Sequence, residues 1–337
     1  MIKIIQGQLI KMRLPWAVYP TVEYLCNFAS VVFGWFCGSV TYFISNVLLI
    51  MGIYGISYVN SVKTSSNKIK LFIMLLLTFM ISFSEITAMF WMLLLFTLSV
   101  RSLLIRDNSL LKFNLPLLTL ALIVFVFMLL TPGNVSRYLY EAHNLKGGFS
   151  AFSTVGIMGK LKVGLFYGLG ILVNKSKYVL LVIAMALIVK DVLYKKYYKA
   201  LIMLIYVILF LVILCYNSFQ FPMWLGFYSE FSKHTPFNQV HLNYFLLLFT
   251  LLFIFYIFKE IILMRNSVIN VVMSTMYFGS ILLSVLAGFG PTVYDSGIRI
   301  FFTASILIYM VMLYIVLDVI GLLLVCHRER KRDDRIC

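Results

Sequence analysis

The stretch Leu71–Val100, LFIMLLLTFMISFSEITAMFWMLLLFTLSV, decides how this chain folds. It is apolar throughout except for one formal charge, Glu85, near its centre. A helix needs roughly 20 apolar residues to cross a hydrocarbon core, so the stretch exceeds one crossing and falls short of two full ones. It is therefore either one long span or a helical hairpin with Glu85 near its tip. The flanking charges discriminate between these. Lys63, Lys68 and Lys70 precede the stretch, and Arg101, Arg106 and Lys112 follow it. Loops rich in lysine and arginine stay on the cytoplasmic side, so an even number of crossings separates the two flanks. The hairpin meets that condition, whereas a single span breaks it at one basic loop. Each arm is about fifteen residues, or ~22 Å, which implies partial re-entry behind protein or a locally thinned bilayer.

The rest of the chain agrees with a membrane setting. It is 62% hydrophobic and 12% charged over 337 residues, too few charges to cover the surface of a soluble protein. Apolar runs at Ser39–Tyr58, Pro116–Leu130, Tyr178–Ile188, Ala200–Cys215, Tyr244–Phe258, Val268–Phe289 and Ile300–Val325 match or approach spanning length. They lack the alternation of a lipid-facing barrel, so helices are expected. The predicted fold is an all-α polytopic membrane protein with nine or ten transmembrane helices in one integral membrane domain. The net charge of +16 reads as topology rather than nucleic-acid binding, because the basic residues cluster between apolar runs. Lys190, Lys195, Lys196 and Lys199 form one cluster, Lys259 and Arg265 another, and Arg328–Arg335 the tail. Anionic lipid headgroups are the expected partners of that tail. The five cysteines form no CxxC and no close pairing with histidine, which gives no support to a zinc or redox site. Residues 3–20 lack a clean apolar core of signal-peptide type, which excludes nothing for a multispanning chain.

Counting back from the basic tail gives a map. Gly290–Arg299, Asn217–Asn243 and Gly133–Lys177 fall outside, and Arg265, Lys195–Lys199, Arg101–Lys112 and Lys63–Lys70 fall inside. The N-terminus is inside if Val22–Cys37 also crosses, and outside if it does not. Glycines at 147, 148, 156, 159, 164, 168 and 170 mark 133–177 as a long outer loop with an interfacial helix. On this map Glu85, Asn134, Arg137, Glu141, His143, Glu230, His234, His241, Asp295 and Arg299 all lie outside, and no comparable polar set is expected inside.

A lone carboxylate in a membrane-length run is costly, so Glu85 is either functional or snorkelled to the bilayer surface. Thr131-Pro-Gly-Asn-Val-Ser-Arg137 reads as a turn in which Asn134 caps the next helix and Arg137 projects from its first turn. That arrangement suits a phosphate, while an i,i+4 pair of Arg137 with Glu141 explains it equally. Gly290-Pro-Thr-Val-Tyr-Asp-Ser-Gly-Ile-Arg299 is a second turn, whose Arg299 either pairs with Asp295 or holds a phosphate. Glu230, His234 and His241 lack metal-ligand spacing, since Pro236 interrupts the segment. Neither a metal nor a cofactor is expected.

Three segments taken in order, SFSEITAMFW around Glu85, TPGNVSR after the next helix, and GPTVYDSGIR-IFF opening a late helix, carry a resemblance. Over about residues 20–325 the chain resembles a family of bacterial polytopic membrane proteins related to serotype-converting O-antigen glucosyltransferases, of GT-C architecture. The resemblance implies transfer of a sugar from a polyprenyl-phosphate donor to a lipid-linked or polymeric saccharide acceptor, on the outer face of the bacterial inner membrane. It implies a catalytic or acceptor-orienting role for Glu85, with Asn134, Arg137, Asp295 and Arg299 binding substrate or phosphate. One departure concerns the acidic motif that GT-C enzymes carry in their first outer loop. Here the segment before Ser39 offers only Glu23, as expected if the family's first helix is missing from this chain. A repeat-unit polymerase and a lipid-linked oligosaccharide flippase are the competing functions.

The charge map is testable by labelling single cysteines in a cysteine-free background. Cysteines at 106 and 195 are expected to react only with permeant reagent, and those at 134 and 295 with impermeant reagent too. The reverse pattern would overturn the map.

Overall fold

The computed structural model describes residues 36–62, 68–131, 136, 156–216, 237–263, 267–286, 289 and 301–333. Among these there is no strand. The helices are α1 (Phe36–Val62), α2 (Lys68–Ile81), α3 (Glu85–Leu104), α4 (Asn108–Leu130), α5 (Ile157–Val163), a π-helical turn (Gly164–Gly168), α6 (Leu169–Leu193), α7 (Tyr197–Tyr216), α8 (Phe237–Leu263), α9 (Val268–Leu286) and α10 (Phe302–Asp333). Five described segments are long and apolar enough to cross a membrane: Phe43–Ser61, Glu85–Leu104, Asn108–Leu130, Val268–Leu286 and Phe302–Cys326. Tyr54, Phe72, Phe96, Phe127, Leu201 and Leu317 are each more than half exposed, on six different helices. Lipid is the solvent that tolerates such a surface. The chain is an all-α, multi-pass membrane protein.

The hairpin expected from sequence is present. α2 runs for 14 residues, the chain turns at Ser82–Ser84, and α3 runs back for 20. Hydroxyls close the turn, because carbonyls left over at a helix end need donors where water is scarce. Thr87 Oγ1 donates to the Ile81 carbonyl (2.8 Å) and also lies 3.1 Å from that of Ser84. Ser82 Oγ donates to Thr78 O at 2.7 Å, and the buried Trp91 Nε1 donates to Thr78 Oγ1 at 3.1 Å, tying the arms together. α1 lies antiparallel to α2. A side chain at Gly52 would strike Ile81 and Trp91, and one at Gly55 would strike Met74. At the far end, Asn60 and Asn114 exchange amide hydrogen bonds (3.3 and 3.1 Å), and Asn114 also donates to Ser102 at 3.4 Å. These groups pin α1, α3 and α4 at their basic ends, and their burial makes the bonds obligatory.

Contacts also fix the remaining directions. Phe210 stacks on Phe253 and Tyr206 on Tyr256, so α7 and α8 are antiparallel. Tyr314 Oη donates to Asn270 Oδ1 at 3.3 Å, which sets α10 antiparallel to α9. Gly168 packs against Ser284 and the Phe301 ring, while Lys190 pairs with Asp318, so α6 and α10 run in parallel. Within α1–α4, and again from α6 to α10, these contacts have the long helices alternate in direction. α9 is the hub: its neighbours are α1, α3, α5, the π turn, α6, α8 and α10.

The structure moves one expected boundary. Residues 169–177, expected in the outer loop, form the first turns of α6. The cause lies in Gly164 and Gly168, spaced to place bare backbone on α9. A Cβ at these positions would lie 1.8 Å from Val285 O and 1.9 Å from Ser284 O. Anchored there, the helix continues through polar residues that read as loop in the sequence. α5, just before it, exposes Ile157 and Met158 at 73% and 72%.

Gly168→Ala is accordingly expected to lower the melting temperature of the detergent-solubilised protein, at an overpacking cost of about 1–3 kcal/mol. Gly321→Ala, where an added Cβ meets nothing within 4 Å, should be neutral or mildly stabilising. Equal melting temperatures for the two variants would contradict the packing.

Candidate functional site

Glu85 occupies the first turn of α3, immediately after the hairpin turn, and its side chain is exposed. Ser84 precedes it in extended conformation (φ −110°, ψ 123°) without capping α3 through its hydroxyl. The turn beneath it is tightly held, and Phe79 and Phe83 meet edge to face at 4.8 Å on the hairpin flank. The Glu85 side chain is thus accessible, on a backbone held by the turn, at the end of the hairpin opposite its basic flanks. Functional and snorkelled readings both predict exposure. The hydrogen-bonded turn is the added feature, since a group that takes a proton from a substrate benefits from a held backbone.

Asn134, Arg137, Asp295 and Arg299, the other expected site residues, lie outside the described residues, as do Glu230 and His234. His241 falls within α8. The described residues therefore bring none of these side chains to Glu85. They also contain no group of three His, Cys, Asp or Glu able to hold a metal ion.

The expectation that the inner face lacks a comparable polar set is corrected by the structure. Asp318, the one acid in the apolar stretch Phe302–Cys326 of α10, pairs with Lys190 of α6. Nearby, Glu260 at the end of α8 is 6% exposed and receives Lys199 Nζ from α7, at 3.0 and 3.3 Å to its two oxygens. The partners are 128 and 61 positions apart, beyond the reach of any local pattern. Only the isolation of Asp318 signalled in advance that it needed a partner. These pairs tie together the inner ends of α6, α7, α8 and α10. Each charge is neutralised, so the cluster clamps the bundle rather than presenting a reactive group.

Asp191 is the mismatched member. Burial raises its carboxyl above the ordinary value of 3.8, Glu260 adds repulsion, and Lys199, Lys196 and Lys190 only partly offset them. For Lys199, burial works to lower the amine, but the hydrogen bond and charge of Glu260 outweigh it, so the net direction is upward. Both shifts mark Glu260 as the charge around which this corner is arranged.

Comparison with known proteins gives no matching family model, no matching curated protein and no matching solved structure.

The raised carboxyl of Asp191 carries a pH signature. Below 3.8 the group is protonated in both folded and unfolded chains and costs nothing. As pH rises from there towards the elevated value, the unfolded chain ionises while the fold resists the charge, and stability falls. Asp191→Asn should therefore raise the melting temperature at pH 7–8, with the gain vanishing towards pH 4. A gain that is independent of pH, or a loss at neutral pH, would refute this account.

Proposed function

We propose that this chain is a glycosyltransferase-like protein of bacterial surface-polysaccharide (O-antigen) synthesis. It takes a sugar from a polyprenyl-phosphate donor on the outer face of the plasma membrane. The observation that supports this reading is the exposed carboxylate of Glu85, carried on a hydrogen-bonded turn at the outer end of a hairpin whose sidedness follows from its charges.

The chemistry asks little more of the protein than such an anion and matching cations. An acceptor hydroxyl attacks the anomeric carbon of the donor sugar, and Glu85 accepts its proton. The bond from that carbon to the phosphate oxygen breaks, and the electron pair leaves with polyprenyl phosphate. A base for the hydroxyl and positive charge for the leaving phosphate are the two terms that lower the barrier. In this reading Arg137 and Arg299 supply the positive charge, with Asn134 and Asp295 beside them in the two turn motifs.

The test compares the surface polysaccharide of cells with the gene intact, deleted, or carrying Glu85→Gln, with membrane abundance checked by immunoblot. Loss of one side-branch sugar in both altered strains is expected, with transfer reduced at least 100-fold, the low end of general-base effects. Unchanged polysaccharide in both would overturn the reading. A change in chain length alone would replace it with a polymerase.

A further inference from the structure

Among the described residues, two that are not glycine adopt a positive φ, Arg106 (55°) and Lys195 (57°). Both are basic, and they sit in the short turns that join α3 to α4 and α6 to α7. The charge map puts both turns on the inner side. The turns are built alike. Ile105 (φ −85°, ψ 2°) and Tyr194 (φ −84°, ψ 9°) end their helices, and the next residue swings into the left-handed region. Three successive N–H groups then bond back onto the last carbonyls. Ile105 donates to Arg101 at 3.0 Å, Arg106 to Leu103 at 3.1 Å and Asp107 to Ser102 at 2.9 Å. Tyr194 donates to Lys190, Lys195 to Val192 and Lys196 to Asp191, at 3.0, 2.9 and 2.8 Å. Glycine is the residue this closure favours, because any side chain at the left-handed position is strained.

Neither the fold nor the orientation of the chain asks for a cation at these two strained positions. Helix C-termini favour positive charge, but Arg101 and Lys190 already supply it within the last turns of α3 and α6. Orientation in the membrane needs basic residues near the span ends and is indifferent to their φ. Both side chains are exposed, and neither forms an ion pair among the described residues. That separates them from Lys190 and Lys199, which meet carboxylates. Asp107, the acid beside Arg106, is committed to capping α4 through the Leu110 N–H at 3.2 Å. The two cations are therefore held at a backbone cost for something outside the fold.

Their surroundings are those of a membrane boundary. Leu104, close to Arg106, is 79% exposed, and around Lys195 the tyrosines 194, 197 and 198 are each more than half exposed. Lys196 holds its amine 5.5 Å from the centre of the Tyr194 ring. Aromatic side chains bordering cations settle at headgroup level, where the anionic inner leaflet attracts lysine and arginine. We propose that these two turns are a docking surface for anionic phospholipid of the inner leaflet, Arg106 and Lys195 each standing against a headgroup of its own. The surface is separate from Glu85 and independent of the transferase reading.

The test uses the full chain in non-ionic detergent, titrated separately with phosphatidylglycerol, phosphatidylcholine and inorganic phosphate, with binding read by thermal shift. Phosphatidylglycerol is expected to raise the melting temperature saturably and more than the other two. The double variant Arg106→Gly/Lys195→Gly should need roughly tenfold more of it, the scale of two cations at an anionic surface. Without lipid that variant should melt at or above the wild type, because glycine relieves both positive φ values. Arg106→Lys/Lys195→Arg should keep the response. Lys175→Gln/Lys177→Gln, which removes two cations near the other end of α6, should match the wild type. An unchanged midpoint in the glycine variant, or an equal shift from phosphatidylcholine or inorganic phosphate, would overturn the proposal. An equal loss in the Lys175/Lys177 variant would do the same, by reducing the effect to total charge. So would a glycine variant that melts below the wild type without lipid, since the two cations would then serve the fold.

Discussion

The structure depends on how closely backbone can approach α9. In hydrocarbon no hydrophobic force drives helices together, so association rests on close packing and on hydrogen bonds that lipid cannot supply. α9 provides both. Gly168 sits against its Ser284 carbonyl, Phe90 of α3 fills the space above its Gly279, and its Asn270 accepts from Tyr314 of α10. The principal contacts between α1–α4 and the later helices run through α9. Without those small residues the two groups would meet lipid instead of each other.

The two ends of the bundle handle charge differently. At the inner end, lysines from α6 and α7 meet carboxylates from α10 and α8, and the Asn60–Asn114 pair satisfies itself. Matched charges and paired amides hold helices in register and leave little for a ligand. Among the described residues of the outer half, Glu85 is exposed at the hairpin tip, and Lys175 and Lys177 form no ion pair. That asymmetry links the packing to the proposed chemistry.

The sequence by itself determined a good deal. Apolar length required membrane helices, and the basic loops oriented them. Charge parity across Leu71–Val100 forced a hairpin with Glu85 at its tip, where the turn at Ser82–Ser84 occurs. These properties are legible because they depend on neighbours in the chain: about twenty apolar residues cross a bilayer wherever they occur, and lysine-rich loops resist translocation. Tertiary structure decided what depends on distant partners. Asp318 advertised a need for a counter-charge, but only the fold chose Lys190, 128 positions away. The polar run at 174–177 reads as loop until Gly164 and Gly168 lay their backbone on α9 and carry the helix through it. Side-chain pairing and backbone contact between helices are set by which faces meet, and local pattern alone does not encode that.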